Sequence, residues 1–152
     1  MSFVLDASLA IACFFPDERQ PFSDAVRAAL PNVGAAVPLI WLYEIANILH
    51  IAQASGRIST SDANDFADEL LALPIEPVVQ SGPEVIREIR AIADAHAISS
   101  YDAAYLHLCR ALGLPLGTLD GSGRRKGLKQ AAETMKLEVL TLERVNKWNA
   151  EH

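Results

Sequence analysis

Short apolar runs alternate along this chain with longer segments whose apolar residues recur every three or four positions. "SFVL", residues 2–5, is a run of the first kind, ends at Asp6 and predicts a strand. The apolar stretch 9–15 that follows is short, and one reading of Asp6 is as the cap of a helix starting at Ala7. "AAVPLIW", residues 35–41, begins as a second strand and stops at Pro38. Across residues 39–55, Ile40, Tyr43, Ile45, Ile48 and Leu49 recur at helical spacing, and Gly56 supplies a stop. "ISTSDANDFADELLAL", residues 58–73, opens on Ser and Thr cap candidates and continues as an amphipathic helix. Residues 75–79, "IEPVV", predict a third strand, and Pro77 marks it as an edge. Residues 82–96 read as a helix with Val85, Ile86, Ile89 and Ile92 on one side. The next helix spans 101–112 and closes at Gly113. "LPLGTLD", ending near Asp120, predicts a fourth strand, and "LEVLTL", residues 137–142, a fifth. "DGSGRRKG" between them reads as a loop.

Strands alternating with helices favour a parallel sheet covered on both faces, an α/β fold. The 152 residues suit one domain, 1–152, with a real core. No apolar run nears the roughly 18 residues of a membrane span. The expectation is a cytoplasmic protein without export, since Asp6 stands where a signal peptide wants positive charge. Cys13 and Cys109 lack metal or redox spacing and read as reduced packing residues. The net charge of −6 argues against nucleic acid, unless several acids are gathered at one metal site. Arg124, Arg125, Lys126 and Lys129 form the densest positive cluster. It reads either as a solvated loop or as a phosphate contact.

The acids carry the chemistry. In open α/β folds ligands bind outside the carboxyl ends of the strands. Asp6 and Asp120 follow strands there, Asp102 opens a helix, and Glu44 sits among Leu42, Tyr43, Ile45 and Ala46. Each has a plainer reading: Asp6 and Asp102 as helix caps, Glu44 as an ion-pair or solvent-facing acid, Asp120 with Gly121 as a turn. Together they project toward one rim. Two carboxylates ~5 Å apart repel by roughly 3 kcal/mol at an effective dielectric near 20. A hard divalent cation reverses the sign of that term, and Mg²⁺ or Mn²⁺ takes oxygen ligands of this kind. His50, His96, His107 and His152 are scattered and read as surface or packing residues. Such a site supports phosphodiester hydrolysis by metal-activated water. Ser8, Thr118 and Asn47 are candidates to orient the bound waters, or simply make ordinary helix and strand hydrogen bonds.

At "FVLDAS", "LYEIANIL", "ISSYDAAYLHLCRALGLPLGTLD" and "LEVLTL" the chain resembles PIN-domain ribonucleases, in particular VapC-type toxins of bacterial toxin–antitoxin pairs. The segments span nearly the whole chain, and residues 98–120 are the most specific piece. The resemblance implies a three-layer α/β/α fold with a central parallel sheet of four or five strands. It implies a Mg²⁺- or Mn²⁺-dependent endoribonuclease using Asp6, Glu44, Asp102 and Asp120. It also implies a homodimer, silenced by a cognate VapB-type antitoxin lying along the active-site groove, and structured RNA targets, tRNA among them. The departure comes after Asp120, where "GSGRRKGLKQAAETM" interposes glycines and the basic triplet Arg124, Arg125 and Lys126. Asp120 is the least anchored of the four acids, and the triplet is a candidate RNA contact.

Two rivals remain. A haloacid-dehalogenase-type phosphatase wants an aspartate where Ser8 stands and a strand-end lysine, yet no lysine precedes Lys126. A PIN-like module that binds a protein and does no chemistry is the other. "PLIWLYEIANIL" and residues 60–73 hold more apolar bulk than a small sheet covers, which reads as an ordinary core or as a groove for an antitoxin helix. A groove through Trp41 and Leu70–Leu71 requires those side chains to be open.

Overall fold

The structure is a computed structural model and describes residues 1–119 and 126–151. Four strands run parallel in one sheet: β1 (Val4–Leu5), β2 (Ala35–Pro38), β3 (Ile75–Val78) and β4 (Leu116–Gly117). Their order is β3-β2-β1-β4. Eight described helices intervene: α1 (Ala7–Phe14), α2 (Pro21–Val33), α3 (Ile40–Ala54), α4 (Thr60–Leu71), α5 (Pro83–His96), α6 (Ser100–Leu112), α7 (Lys126–Thr134) and α8 (Leu142–Glu151). The architecture is the expected three-layer α/β/α fold.

Burial follows strand position. Every residue of β1, β2 and β4 is buried, the mark of parallel strands covered on both faces. β3 is half open and lies at the edge. Pro77 sits opposite Val37 there, where its missing N–H costs least. α6 packs across β2, β1 and β4, with α5 and α7 beside it, while α2 packs against both α1 and α8. Tyr105, Leu106, Leu108 and Cys109 of α6 are all at most 1% exposed.

Three readings need correction. The fifth strand reduces to a single parallel bridge, Leu116 to Val139. Thr141 then accepts the Arg144 N–H at 3.3 Å and opens α8, which takes Leu142 out of the strand. The sheet is therefore four-stranded. The loop expected through Gly127 gives way to helix at Lys126, where α7 begins. α2 and α8 were not foreseen. α2 had its signals: Pro21 at the first turn, Asp24 after it, and Val26, Leu30 and Val33 on one buried face. α8 is mostly polar and is anchored by buried Val145 and by Trp148, whose ring stacks on Phe3 at 5.9 Å.

Gly117 explains how closely β4 meets the core. A Cβ there would stand 2.7 Å from Cδ2 of the fully buried Phe3 ring. Only glycine allows this approach, and it brings the next residue, Thr118, against the end of β1. The two thiols are buried, and desolvation pushes both up to about 12. They are inert packing groups. Among the described residues no helix is long and apolar enough to cross a membrane.

Candidate active site

Asp6 is the first residue past β1. Its N–H still belongs to the sheet, donating to Gly117 O at 2.9 Å, and its C=O accepts from Ala10 N at 3.0 Å. It occupies the N-cap position of α1, but its side chain makes no cap bond. The capping reading fails. The carboxylate is fully buried, and its Oδ2 accepts from Ser8 Oγ at 2.5 Å and from Thr118 Oγ1 at 2.8 Å. A buried charge requires such donors. Thr118 arrives from the strand beside β1. From β1 the chain lays β2 and β3 to one side and β4 to the other, so Asp6 stands at the reversal of strand order, where open α/β sheets form their ligand crevice.

Asp102 lies in the first turn of α6. Ser99 caps that helix by accepting the Asp102 N–H at 3.0 Å. Among the described residues the carboxylate returns no bond to the Ser99 N–H, so the reciprocal capping box does not form. The contrast is with Ser59 and Asp62 on α4, where both halves of the box close. Glu44 is half-buried on α3, and its Oε2 accepts from Tyr105 OH at 2.6 Å. Tyr105 is fully buried and stands three residues after Asp102 on α6. That spacing puts the two on one helix face. The bond therefore ties α3 to the helix that carries Asp102. Asn47 lies exposed, one turn beyond Glu44.

The structure thus brings together Asp6, Ser8 and Thr118, and separately Glu44 and Tyr105. Among the described residues alone, no group of three or more His, Cys, Asp or Glu could hold a metal ion. Asp120, Arg124 and Arg125 lie outside the described residues, as does the side chain of Lys126. What the described acids and hydroxyls offer is oxygen only, the donor chemistry of a hard divalent cation.

Two groupings escaped the sequence reading. Tyr105 was legible only as a core aromatic, although its spacing from Asp102 was the clue. The second is a polar chain: Gln80 Nε2 donates to Ala104 O at 3.1 Å and stands 2.6 Å from His107 Nδ1, while His107 Nε2 stands 2.6 Å from Glu88 Oε2. His107 is a packed histidine, as expected, joining the segment after β3, α5 and α6.

The proposed groove is partly overturned. Trp41 and Leu70 are buried at 4% and 7% exposure, so no groove runs through them. Leu71 is 83% exposed, and Leu39, Leu42 and Tyr43 leave an apolar face around the start of α3. A different opening, about 440 Å³, lies between α1 and α4, lined by Phe14, Phe15, Arg27, Arg57, Ile58 and Phe66. Its aromatic floor packs edge to face, with Arg27 over Phe14 at 4.8 Å and Arg57 over Phe15 at 4.6 Å.

The family model of the PIN domain matches residues 3–127, and the chain belongs to that family. The chain is also 32% identical to Ribonuclease VapC3 of Pyrobaculum aerophilum over 120 residues, covering 79% of this chain and 90% of that protein. The crystal structure of PAE2754 from Pyrobaculum aerophilum matches 100% of this chain and 97% of its own length with a TM-score of 0.73. At 17% identity that likeness is one of fold alone.

Proposed function

We propose that the protein is a Mg²⁺- or Mn²⁺-dependent endoribonuclease, the toxin of a toxin–antitoxin pair. The observation that carries this reading is the Asp6 carboxylate, buried at the sheet crevice on two hydroxyls and unused as a helix cap. The 32% identity to a protein named a ribonuclease supports the same reading. Asp6, Glu44, Asp102 and Asp120 would hold the cation. When bound, a hard divalent cation supplies an activated water and neutralises charge on the scissile phosphate. Ser8 and Thr118 fix the orientation of the Asp6 carboxylate, as groups behind a ligand do. Asn47 would orient water at the rim. Arg124, Arg125 and Lys126 would hold the phosphates of the RNA, tRNA among the candidates.

Purified protein is expected to cleave total tRNA or a mixed-sequence oligoribonucleotide with Mn²⁺ and to stop on chelation. Asp6→Asn and Asp102→Asn are expected to abolish cleavage. Cleavage that survives both changes overturns the site. No cleavage and no Mn²⁺ binding by calorimetry leaves the inert protein-binding module. In the same assay, reversing Arg124 and Arg125 to Glu is expected to weaken RNA binding and flatten its salt dependence; unchanged slopes remove the phosphate contact.

The antitoxin segment is proposed to enter the opening between α1 and α4, whose aromatic floor is walled by charged side chains, Arg27, Arg57, Asp65 and Glu69 among them, for helix-in-groove docking. Hydrogen-exchange protection of α1 and α4 in the complex is the expected signature, and protection confined elsewhere overturns it. The proposed homodimer would use the α3 face around Leu42 and Tyr43, and the proposed setting is the cytoplasm.

A further inference from the structure

Tyr105 is fully buried, yet it places a hydroxyl against a carboxylate on another helix. Its OH lies 2.6 Å from Glu44 Oε2, a short bond of the kind made to an ionised acceptor. The ring belongs to α6 and the acid to α3, so the bond spans 61 residues of chain. A buried tyrosine needs some partner for its hydroxyl, and a backbone carbonyl would have served. Here the partner is the one acid set among apolar neighbours on α3. Asp102 stands three residues before Tyr105, on the same face of the same helix. The hydroxyl therefore fixes Glu44 relative to the helix that carries Asp102, much as Ser8 and Thr118 fix Asp6.

We propose that Tyr105 is a positioning residue for the divalent cation: its hydroxyl holds Glu44 in the orientation in which Glu44 and Asp102 bind one ion. This rests on the metal-site reading given above. In this role Tyr105 acts through Glu44 and not on the substrate itself. Groups one step behind a metal ligand commonly account for about 10–100-fold in metal affinity or activity.

Tyr105→Phe removes one oxygen and keeps the ring that fills the core. Calorimetric titration with Mn²⁺ alone, in the absence of RNA, is the first readout. Tyr105→Phe is expected to weaken Mn²⁺ binding by about 10–100-fold, and cleavage to fall through kcat with KM for the oligoribonucleotide unchanged. High Mn²⁺ is expected to restore much of the rate. In a double-mutant cycle, adding Tyr105→Phe to Glu44→Gln is expected to change Mn²⁺ affinity by less than about twofold, because both changes act through one carboxylate. A structural role alone would lower the melting temperature and leave Mn²⁺ binding unchanged, and that result overturns the proposal. So does full loss of affinity from Tyr105→Phe in the Glu44→Gln background.

The arms separate two failures. Wild-type protein that binds no Mn²⁺ defeats the metal reading and this inference with it. Wild-type protein that binds Mn²⁺ and loses it on Asp6→Asn, while Tyr105→Phe matches wild type, defeats the inference alone. Should Tyr105→Phe fail to fold, the wild-type hydroxyl proton answers instead. Buried and hydrogen-bonded, it is expected to give a slowly exchanging proton resonance that moves on titration with Mg²⁺, and a resonance that stays in place overturns the proposal.

Discussion

Two helices in this protein open on the same pattern, serine followed three residues later by aspartate, and they use it differently. At α4, Ser59 Oγ accepts the Asp62 N–H at 3.0 Å, and Asp62 Oδ2 reaches back to Ser59 N at 2.8 Å and Oγ at 2.7 Å. At α6, Ser99 accepts the Asp102 N–H at 3.0 Å, but the Asp102 carboxylate does not turn back to close the box. Both helices gain a capped N–H. In α4 the acid is consumed by its own helix end. In α6 it is kept from that task, beside a tyrosine that grips Glu44. One local motif thus gives an acid that closes its own cap at α4 and an acid that leaves its cap open at α6. Whether the carboxylate turns back to its own helix cap distinguishes them, and residue type does not.

The largest test of this contrast exchanges charge for shape at both positions. Asp102→Asn is expected to lower Mn²⁺-dependent RNA cleavage by at least about a hundredfold, the scale for deleting one group from a preorganised catalytic set. Its melting temperature should barely move. Asp62→Asn is expected to do the reverse, leaving cleavage intact and melting slightly earlier. Parallel rate and melting measurements on the two variants decide it. Equal activity in both would erase the distinction between the two helix openings.

The alternation of short and long apolar segments was enough to foresee all four strands, because β1 and β2 are buried on both faces and so read as unbroken apolar runs. Pro77 gave away the edge. α8 was missed because its face is carried by two residues, Val145 and Trp148, too few to set a period. The fifth strand, expected over 137–142, shortens to a bridge because Thr141, inside that apolar run, opens α8. The sequence marks Ser8 and Thr118 as hydroxyls to orient bound waters; in the structure both donate to one oxygen of the Asp6 carboxylate. Tyr105 stayed hidden because a pattern reveals that a residue is buried and cannot reveal where its hydroxyl ends.

The serines offer a smaller test. Ser99→Ala and Ser59→Ala each remove an acceptor for a first-turn N–H, at a cost of about 1 kcal/mol, or roughly 2–4 °C in a domain of this size. Ser59→Ala is expected to cost the more of the two, since Asp62 also loses the hydroxyl it accepts from. Only Ser99→Ala should also reduce cleavage, because it loosens the turn that carries Asp102. Melting curves and rates for the pair check both statements, and a larger rate loss for Ser59→Ala would reverse the assignment.

The smallest effect lies in the acid limb of stability. The hydroxyl and N–H of Ser59 hold the Asp62 carboxyl below its ordinary value. The folded state therefore binds this proton less readily than the unfolded chain does. Asp62 accordingly contributes stability that is fully present above about pH 4, the unfolded carboxyl range, and fades as pH falls through its lower folded value. Chemical denaturation from pH 6 to pH 2.5 is expected to show a shallower acid loss for Asp62→Asn than for wild type, with the two curves converging at the acid end. Asp62 is exposed, so solvent and salt screen the effect and the separation between the curves should shrink in high salt. A separation that persists at the acid end would mean that the Asp62 side chain stabilises α4 through something other than its charge, and the box at α4 would then differ from the open one at α6 in shape alone.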